Sequence, residues 1–206
     1  MSAAHTITAF RGPDIQPWLD DVARLRVAVF RDWPYLYEGD LDYEREYLSA
    51  YAASPDSVFV LAQAGQEMVG ASTGLPLLDD SEAFRQPFLH SAIDPAEVFY
   101  FGESVLLPHW RGKGIGHAFF DAREQHARAL GRYRWTAFAA VDRGPDDARR
   151  PHDYRSNDVF WHKRGYTRQA GMTMRLEWNE IGRGEIAHPL TFWTRALDTA
   201  TSEHSA

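Results

Sequence analysis

The chain has 206 residues, of which 44% are apolar and 25% are charged, an ordinary composition for a globular protein with one sizeable core. It contains no cysteine, which excludes disulfide bonds, thiolate metal sites and an acyl-cysteine intermediate. Its net charge of -7 disfavours nucleic-acid binding, which requires a basic surface.

Two further absences bear on location. The sequence has no run of about 18 apolar residues and no basic N-terminal stretch followed by an apolar one. We therefore expect a cytoplasmic protein without a membrane partner, folded as a single domain over residues 1–206 with a core over about 5–197.

The first half of the chain alternates between strand and helix patterns. The predicted elements are a strand over His5–Phe10, helices over Asp14–Phe30 and Asp40–Ala53, strands over Ser57–Gln63 and Met68–Leu75, and a short helix within Asp79–His90. Gly65 separates the two adjacent strands, which indicates a hairpin.

The second half begins with an apolar strand and an amphipathic helix. The predicted elements are a strand over Val98–Leu107, a helix over Gly114–Leu130, a strand over Tyr133–Val141, a loop over Arg143–Arg155, a helix over Asn157–Arg164, strands over Thr167–Trp178 and Leu190–Leu197, and a disordered tail over Asp198–Ala206. The long helix between two strands predicts a crossover connection in a mixed sheet.

The most informative segment is a glycine-rich turn between the strand that stops at Pro108 and the helix that follows. It contains three spaced glycines and two cations: Gly112, Gly114, Gly116, Arg111 and Lys113. Glycines let the main chain approach a ligand closely, and a helix N-terminus offers free N–H groups and a positive dipole. The segment therefore predicts a cradle for a pyrophosphate, although a turn with glycines for tight packing remains the alternative reading.

Two other phosphate-binding motifs do not match this segment. A P-loop requires Ser or Thr after its lysine, and Lys113 is followed by Gly114. The dinucleotide fingerprint would require glycine at position 117, which is His117.

The segment resembles motif A of the GNAT-type N-acetyltransferase superfamily, whose signature Arg111, Gly114 and Gly116 match, with Pro108 in the usual place before them. The run Trp161–Tyr166 resembles the family's final-helix pattern. The resemblance implies an α/β (α+β) GNAT fold: a twisted, mixed but mostly antiparallel sheet of about six to seven strands, flanked by helices, with a V-shaped splay between the two central strands.

The resemblance also implies that acetyl-CoA, as co-substrate, lies in the V with its pantetheine arm along the strand that ends at Leu107. The implied cofactor-binding residues are Val105, Leu106, Leu107, Arg111, Gly112, Lys113, Gly114, Ile115, Gly116, Asn157 and Trp161. An N-cap of the last helix is the alternative role for Asn157. The nine histidines form no recognisable ligand set, so we expect no metal.

Glu103 is a candidate general base. A carboxylate within an apolar strand is costly unless it is used or paired, and in the family a glutamate at this spacing before the motif arginine often accepts the proton. A buried salt bridge and a solvent-facing carboxylate are the alternatives. The backbone N–H of Leu106 or Leu107 is a candidate oxyanion donor.

The general acid is less clear from the sequence. The family often places a tyrosine where this chain has Trp161, whose indole is no usable acid. Tyr154, Tyr166 or His162 could substitute, although a packing role is the alternative for each. The asparagine that usually precedes this helix is also displaced, since Tyr154 holds its position and Asn157 follows later.

The predicted function is transfer of an acetyl group from acetyl-CoA to a primary amine of a small molecule or protein, by direct attack in a ternary complex. The alternative is an acyl-CoA-sensing module of the same fold without turnover. Aromatic and acidic residues between Phe30 and Tyr47 could hold a cationic amine, or form the solvated face of a helix. The loop over residues 143–155 could cover the substrate, hold the 3′-phosphate of the coenzyme through arginine, or be an ordinary mobile loop. Relatives of this kind often form homodimers.

Overall fold

The computed structural model describes residues 4–197, so the predicted tail Asp198–Ala206 lies outside the described residues. The strands are β1 (Thr6–Arg11), β2 (Val58–Ala64), β3 (Glu67–Pro76), β4 (Val98–Tyr100), β5 (Ser104–Leu106), β6 (Trp135–Val141), β7 (Thr167–Glu180) and β8 (Gly184–Ala196). The α-helices are α1 (Leu19–Phe30), α2 (Leu41–Ala53), α3 (Glu82–Arg85), α4 (Ile115–Ala129) and α5 (Asp158–Lys163).

All the strands belong to one mixed, mostly antiparallel sheet. The order across it is β1-β2-β3-β4-β6-β8-β7, and β5 pairs with β3 beside β4. The pairing of β4 with β6 is parallel, because α4 crosses over between them, and the other pairings are antiparallel. The predicted mixed, mostly antiparallel sheet, the β2–β3 hairpin and the crossover are therefore confirmed.

Helices cover both faces of this sheet because its strands alternate between two apolar cores. In β2, Phe59 and Leu61 pack with the helices α1 and α2, whereas Val58, Val60 and Ala62 pack with α4. This alternation is what the period of two in a strand requires.

The V-shaped splay lies where the central strand breaks. Up to Tyr100 this strand pairs with β6, and the N–H of Phe101 still donates to the carbonyl of Ala137 at 2.8 Å. Beyond this point β5 pairs with β3 and β6 pairs with β8, so the two halves of the sheet separate. The predicted splay is confirmed.

The sequence predicts one continuous strand over Val98–Leu107, and that prediction is wrong at residues 101–103. The N–H of Gly102 donates to the carbonyl of Thr73 at 3.2 Å, and the N–H of Thr73 donates to the carbonyl of Glu103 at 3.1 Å. Two residues therefore oppose one, as in a β-bulge. The close approach needs glycine, because a Cβ at Gly102 would lie 2.6 Å from the Thr73 Oγ1 atom.

Two other boundaries differ from the sequence prediction. The helix predicted from Asp14 starts as a 3-10 segment over Gly12–Trp18 and becomes α-helical only at Leu19, because Pro17 lacks the N–H that an α-helix would use at that position. The last strand begins at Gly184 rather than Leu190. Pro189 lies where the ladder with β6 ends: the N–H of Asp142 still donates to the carbonyl of Pro189 at 2.9 Å, but proline has no N–H for a return bond.

No helix in the described part of the chain is long and apolar enough to span a bilayer.

Candidate active site

The N-terminus of α4 opens onto the splay. Gly112 and Gly114 have φ angles of 76° and 85°, in the left-handed region that glycine adopts without strain, and Gly114 is the N-cap of the helix. The first bond into the helix runs from the N–H of Ala118 to the carbonyl of Gly114, which leaves the N–H groups of the first turn unpaired within it. This end of the helix can therefore bind an anion.

A cleft of about 1230 Å³ extends from this helix end between the separated strands. Many of the predicted site residues line it: Glu103, Leu106, Arg111, Gly112, Gly114, Gly116, Tyr154, Asn157 and Trp161. The structure therefore brings together residues that are widely separated in the sequence.

The main chain of β5 presents Leu106 to the cleft, whereas both backbone groups of the next residue, Leu107, are already paired. The N–H of Leu107 donates to the carbonyl of Val69 at 3.0 Å, and its carbonyl accepts from the N–H of Trp110 at 2.9 Å. Backbone groups alternate in direction along a strand, so those of Leu106 point away from β3, and its carbonyl accepts from the Arg111 Nε atom at 3.3 Å. The contacts thus favour Leu106 over Leu107 as the oxyanion donor.

Three predicted cofactor residues have side chains directed elsewhere. Val105 and Ile115 lie in the two apolar cores. The Lys113 Nζ atom lies 4.3 Å from the centre of the Trp110 ring. Any contact of Val105 and Ile115 with a cofactor would therefore come from their main chain, and the role of Lys113 remains a prediction.

The last helix contributes one free polar side chain and one packed aromatic. Asn157 is exposed at the start of α5, and its side chain makes no capping hydrogen bond, so its amide is free to meet a ligand. The Trp161 ring packs against Phe138 and Trp193, with ring centres 4.9 and 5.1 Å away.

Glu103 lies at the bulge and is buried, with 8% of the residue exposed. Its Oε2 atom lies 2.6 Å from the Nη1 atom of Arg26, a residue of α1. Arg26 also pairs through its Nε atom with Glu44 of α2. The buried salt bridge that the sequence left open is therefore present.

The aromatic residues around Phe30 surround this arginine. The Arg26 guanidinium lies 4.4 Å from the centre of the Tyr47 ring and 5.0 Å from that of Phe30. Both distances are within the range of cation–π contacts. These two rings, considered above as a site for a cationic amine, thus hold a cation of the chain itself.

Arg123, a second buried arginine, fixes the bulge from the side of α4. Its Nη1 atom donates to the carbonyls of Thr73 and Glu103, both at 3.1 Å, and its Nη2 atom donates to the Ser104 Oγ atom at 2.8 Å. Burial lowers the pKa of Arg123 to about 10. The hydrogen bonds hold the main chain of Glu103 where the strands separate.

Sequence reasoning missed both arginines. Arg26 lies on the apolar stripe of α1 between Val22 and Phe30, and Arg123 lies one turn after Phe119 on the apolar stripe of α4. A cation within such a stripe is the signal that could have found them, since it requires a buried partner.

The two tyrosines proposed as acids occupy different environments. Tyr154 is partly buried in the cleft wall, with its ring centre 6.1 Å from that of Trp33. Burial raises its pKa, and Asp158 adds to this effect. The Tyr166 hydroxyl is instead buried in the second core, 2.8 Å from the Thr136 Oγ1 atom and 3.2 Å from the Glu124 Oε1 atom. The arrangement favours Tyr154.

Comparison with known proteins assigns the family. A sequence model of the acetyltransferase (GNAT) family matches residues 22–150, which is more than half of the chain. The chain belongs to this family. A search of curated protein sequences gives no significant match.

Solved structures of GNAT proteins share the fold. An aminoglycoside 6'-N-acetyltransferase complexed with coenzyme A is 15% identical, with a TM-score of 0.59 over 93% of this chain and 97% of that one. A Salmonella typhimurium protein assigned as an acetyltransferase, solved with its cofactor acetyl-CoA, is 16% identical, with a TM-score of 0.55 over 98% and 97% of the two chains. The ribosomal-protein-S18-alanine N-acetyltransferase of Escherichia coli is 9% identical, with a TM-score of 0.56 over 98% and 100%. At these identities the likeness shows the fold of this GNAT protein and no substrate.

Proposed function

We propose that this GNAT protein is a cytoplasmic N-acetyltransferase that uses acetyl-CoA and transfers its acetyl group directly to a primary amine in a ternary complex. The observation that carries the proposal is the open N-terminus of α4 at the mouth of the splay. Both a coenzyme A complex and an acetyl-CoA complex occur among the proteins with this fold.

The residues around this helix end fit a pyrophosphate. Cβ atoms at Gly112 and Gly114 would meet no heavy atom within 4 Å, so space for a ligand adjoins the glycine main chain. Arg111 lies on the cleft beside them and supplies a positive charge. The outward-facing backbone of Leu106 then offers the next polar contacts for a pantetheine amide or a thioester oxygen.

The acceptor would enter where the cleft is lined by the segment between α1 and α2. Trp33, Pro34 and Tyr35 lie there, and Trp33 contacts Tyr154 across the cleft. Tyr35 of this segment faces Glu103, which also lines the cleft. An acceptor nitrogen and a thioester can therefore approach the same point from two sides.

An amine with a pKa near 10 is neutral in only about one molecule in a thousand at pH 7, so it must lose a proton before it attacks. In the proposed reaction the Glu103 carboxylate accepts this proton, directly or through water. The nitrogen–carbon bond forms as the carbon–sulfur bond breaks, and the N–H of Leu106 stabilises the developing oxyanion. Tyr154 donates a proton to the departing thiolate, which otherwise leaves unaided because thiol pKa values lie near 8.5.

A test of this function measures thiol release from acetyl-CoA in the presence of a panel of amines. We expect release that depends on the amine, and we expect Glu103→Gln to lower kcat by about 100-fold, the usual contribution of a general base. Calorimetry with acetyl-CoA should show unchanged binding to this variant. Full activity of Glu103→Gln would contradict the base assignment.

One observation favours a second candidate function. The position where the family often has its acid tyrosine holds Trp161, which packs against Phe138 and Trp193 and donates no usable proton. A module that senses acyl-CoA without turnover would keep the cradle and need no acid. Binding of acetyl-CoA without amine-dependent thiol release would support this alternative.

A further inference from the structure

Three charged side chains from three separate elements meet beneath the cleft. Arg26 of α1 lies between Glu44 of α2 and Glu103 of the bulge. The exposed fractions of the side chains are 9% for Arg26, 1% for Glu44 and 4% for Glu103. We call these residues the buried triad.

The buried triad carries one positive and two negative charges. Such a cluster is weak evidence for stability, because removing charges from water costs about as much as their pairing returns. Glu44 has no role in the proposed transfer, and its side chain is the most buried of the three. Its burial therefore calls for another explanation.

The geometry points to one: we propose that Arg26 and Glu44 are positioning residues that set the ionisation and orientation of Glu103. This inference rests on the proposed function. An arginine paired with Glu103 alone would make that carboxylate a poor base. Glu44 pairs with the same guanidinium and offsets part of the positive field that Arg26 exerts on Glu103.

The orientation follows from the same contacts. Arg26 Nη1 lies 2.6 Å from Oε2 of Glu103 and forms an ion pair with it, although neither Oε1 nor Oε2 of Glu103 has a hydrogen-bond partner of good geometry in the described part of the chain. The arginine thus holds one carboxylate oxygen and leaves the other for an acceptor ammonium or a water. An atom in this position is suited to accept the proton of the amine.

Other titratable groups also face Glu103 from the surrounding elements: Tyr35 from the segment between α1 and α2, Tyr47 and Tyr51 from α2, Asp80 from beyond β3, and Arg123 from α4. Burial raises the pKa values of the three tyrosines above their usual range, so these side chains are neutral at physiological pH. Arg123 donates to the main chain of Glu103 rather than to its carboxylate. Burial raises the pKa of Asp80 to about 6, so its titration could add to the acidic side of the pH profile, and Asp80 needs its own control.

The test is the pH profile of kcat/KM for amine-dependent thiol release. The acidic limb of this profile is the range in which kcat/KM rises with pH. Two amines of different pKa are used, so that a limb set by the amine is distinguished from one set by the enzyme. In Glu44→Gln the full field of Arg26 falls on Glu103, and we expect the acidic limb to move to lower pH by about one unit. In Arg26→Gln two carboxylates lose their cation, and we expect this limb to move to higher pH by about one unit or more. A merely structural role would lower activity in both variants without moving the limb in opposite directions.

Glu46→Gln is the matched control, because Glu46 is exposed on α2, the helix that also carries Glu44. The acidic limb of the pH profile should not move in this variant. Asp80→Asn shows whether Asp80 contributes to the limb. Circular dichroism identifies a variant that does not fold. If either Glu44→Gln or Arg26→Gln fails to fold, the pH profile of the other variant tests the proposal. A carboxyl-carbon NMR titration of Glu103, assigned with Glu103→Gln, should shift in the same directions.

The outcomes separate the two proposals. No amine-dependent thiol release from the unaltered protein would overturn the proposed function and this inference with it. Release that is lost in Glu103→Gln, together with an acidic limb that stays in place in a folded Glu44→Gln or Arg26→Gln protein, would overturn this inference alone.

Discussion

Asp80 illustrates how burial, with a smaller contribution from the charge of Glu103, can raise the pKa of a single carboxyl group. Burial raises its pKa from 3.8 to about 6, although the N–H of Ser81 and the hydroxyl of Tyr51 donate to it at 2.7 and 2.9 Å. A carboxyl group whose pKa is higher in the folded state favours folding in its protonated form. Its contribution is therefore greatest below the unfolded pKa and is lost as the pH rises through about 6.

We accordingly predict that Asp80→Asn stabilises the protein at pH 7, by up to about 2 kcal/mol, because the neutral amide removes the cost of a buried charge. Between pH 4 and 6 the gain should shrink, since Asp80 itself becomes neutral there. Urea unfolding at several pH values measures this difference. A loss of stability at pH 7 would mean that the bonds from Tyr51 and Ser81 outweigh the burial.

The residue scale also shows what a sequence can and cannot predict. Glu103 was predictable, because a carboxylate within an apolar run is conspicuous wherever the strand lies. The position of Arg26 in an apolar stripe indicates that it needs a buried partner, but its pairing with Glu103 was not predictable, since it depends on how α1 packs across the bulge. Glu44 lies in a helix rich in acidic residues, so the sequence alone favours a solvated side chain, whereas the structure buries it.

At the scale of elements, the local signals predicted α2 and α4 well. Asp40 was placed at the start of α2, and its Oδ1 atom accepts from the N–H groups of Asp42 and Tyr43, both at 2.9 Å. The break in the strand over residues 98–107 was not predictable, because it depends on contacts from Thr73 and Arg123 in other elements. Local pattern thus located the cradle, and tertiary contacts created the splay beside it.

The glycine cradle can be tested at this scale by comparing the two ends of α4. Gly114 at its start and Gly131 after its end have φ angles of 85° and 73°, and a Cβ at either would meet no atom within 4 Å. Alanine at either position should therefore cost a similar amount of stability, about 1 kcal/mol. Only Gly114→Ala should weaken acetyl-CoA binding, by about tenfold, because it disturbs the N–H groups that face the pyrophosphate. Calorimetry measures the affinity of both variants for acetyl-CoA. Equal affinities in the two variants would argue against the cradle as the pyrophosphate site.

At the scale of the whole molecule, one carboxylate joins three distant segments around the acceptor end of the cleft. Glu180, at the end of β7, is fully buried and pairs with Arg149 and, at 2.6 Å, with Arg143. Arg143 in turn donates to the carbonyls of Pro34 and Tyr35 at 2.6 and 2.9 Å. The loop over residues 143–155, whose role the sequence left open, is thus tied to the wall of the cleft.

These contacts make the acid stability of the protein depend on Glu180. Burial alone would raise its pKa, but the hydrogen bonds and charges of Arg149 and Arg143 lower it to about 2. A carboxylate whose pKa is depressed by folding adds stability above its unfolded value of 4.5, and this is lost as the pH falls toward 2. Glu180→Gln should therefore unfold more readily at pH 7, by about 3 kcal/mol, and show a weaker dependence on pH between 4.5 and 2.

The same substitution should affect one substrate and spare the other. Without Glu180, Arg143 loses its charge partner, and the segment with Trp33, Pro34 and Tyr35 loses part of its anchor. The cradle at α4 is not among the hydrogen-bond or ion-pair partners of Glu180 and Arg143 in the described residues. We expect the KM for the amine to rise by about tenfold, a cost of about 1.4 kcal/mol, with little change in acetyl-CoA affinity. Glu185→Gln, an exposed change on the adjoining strand β8, serves as the control and should alter neither constant. A folded Glu180→Gln protein with an unchanged KM for every amine would show that the ion pairs of Glu180 with Arg143 and Arg149 stabilise the fold without shaping the acceptor site.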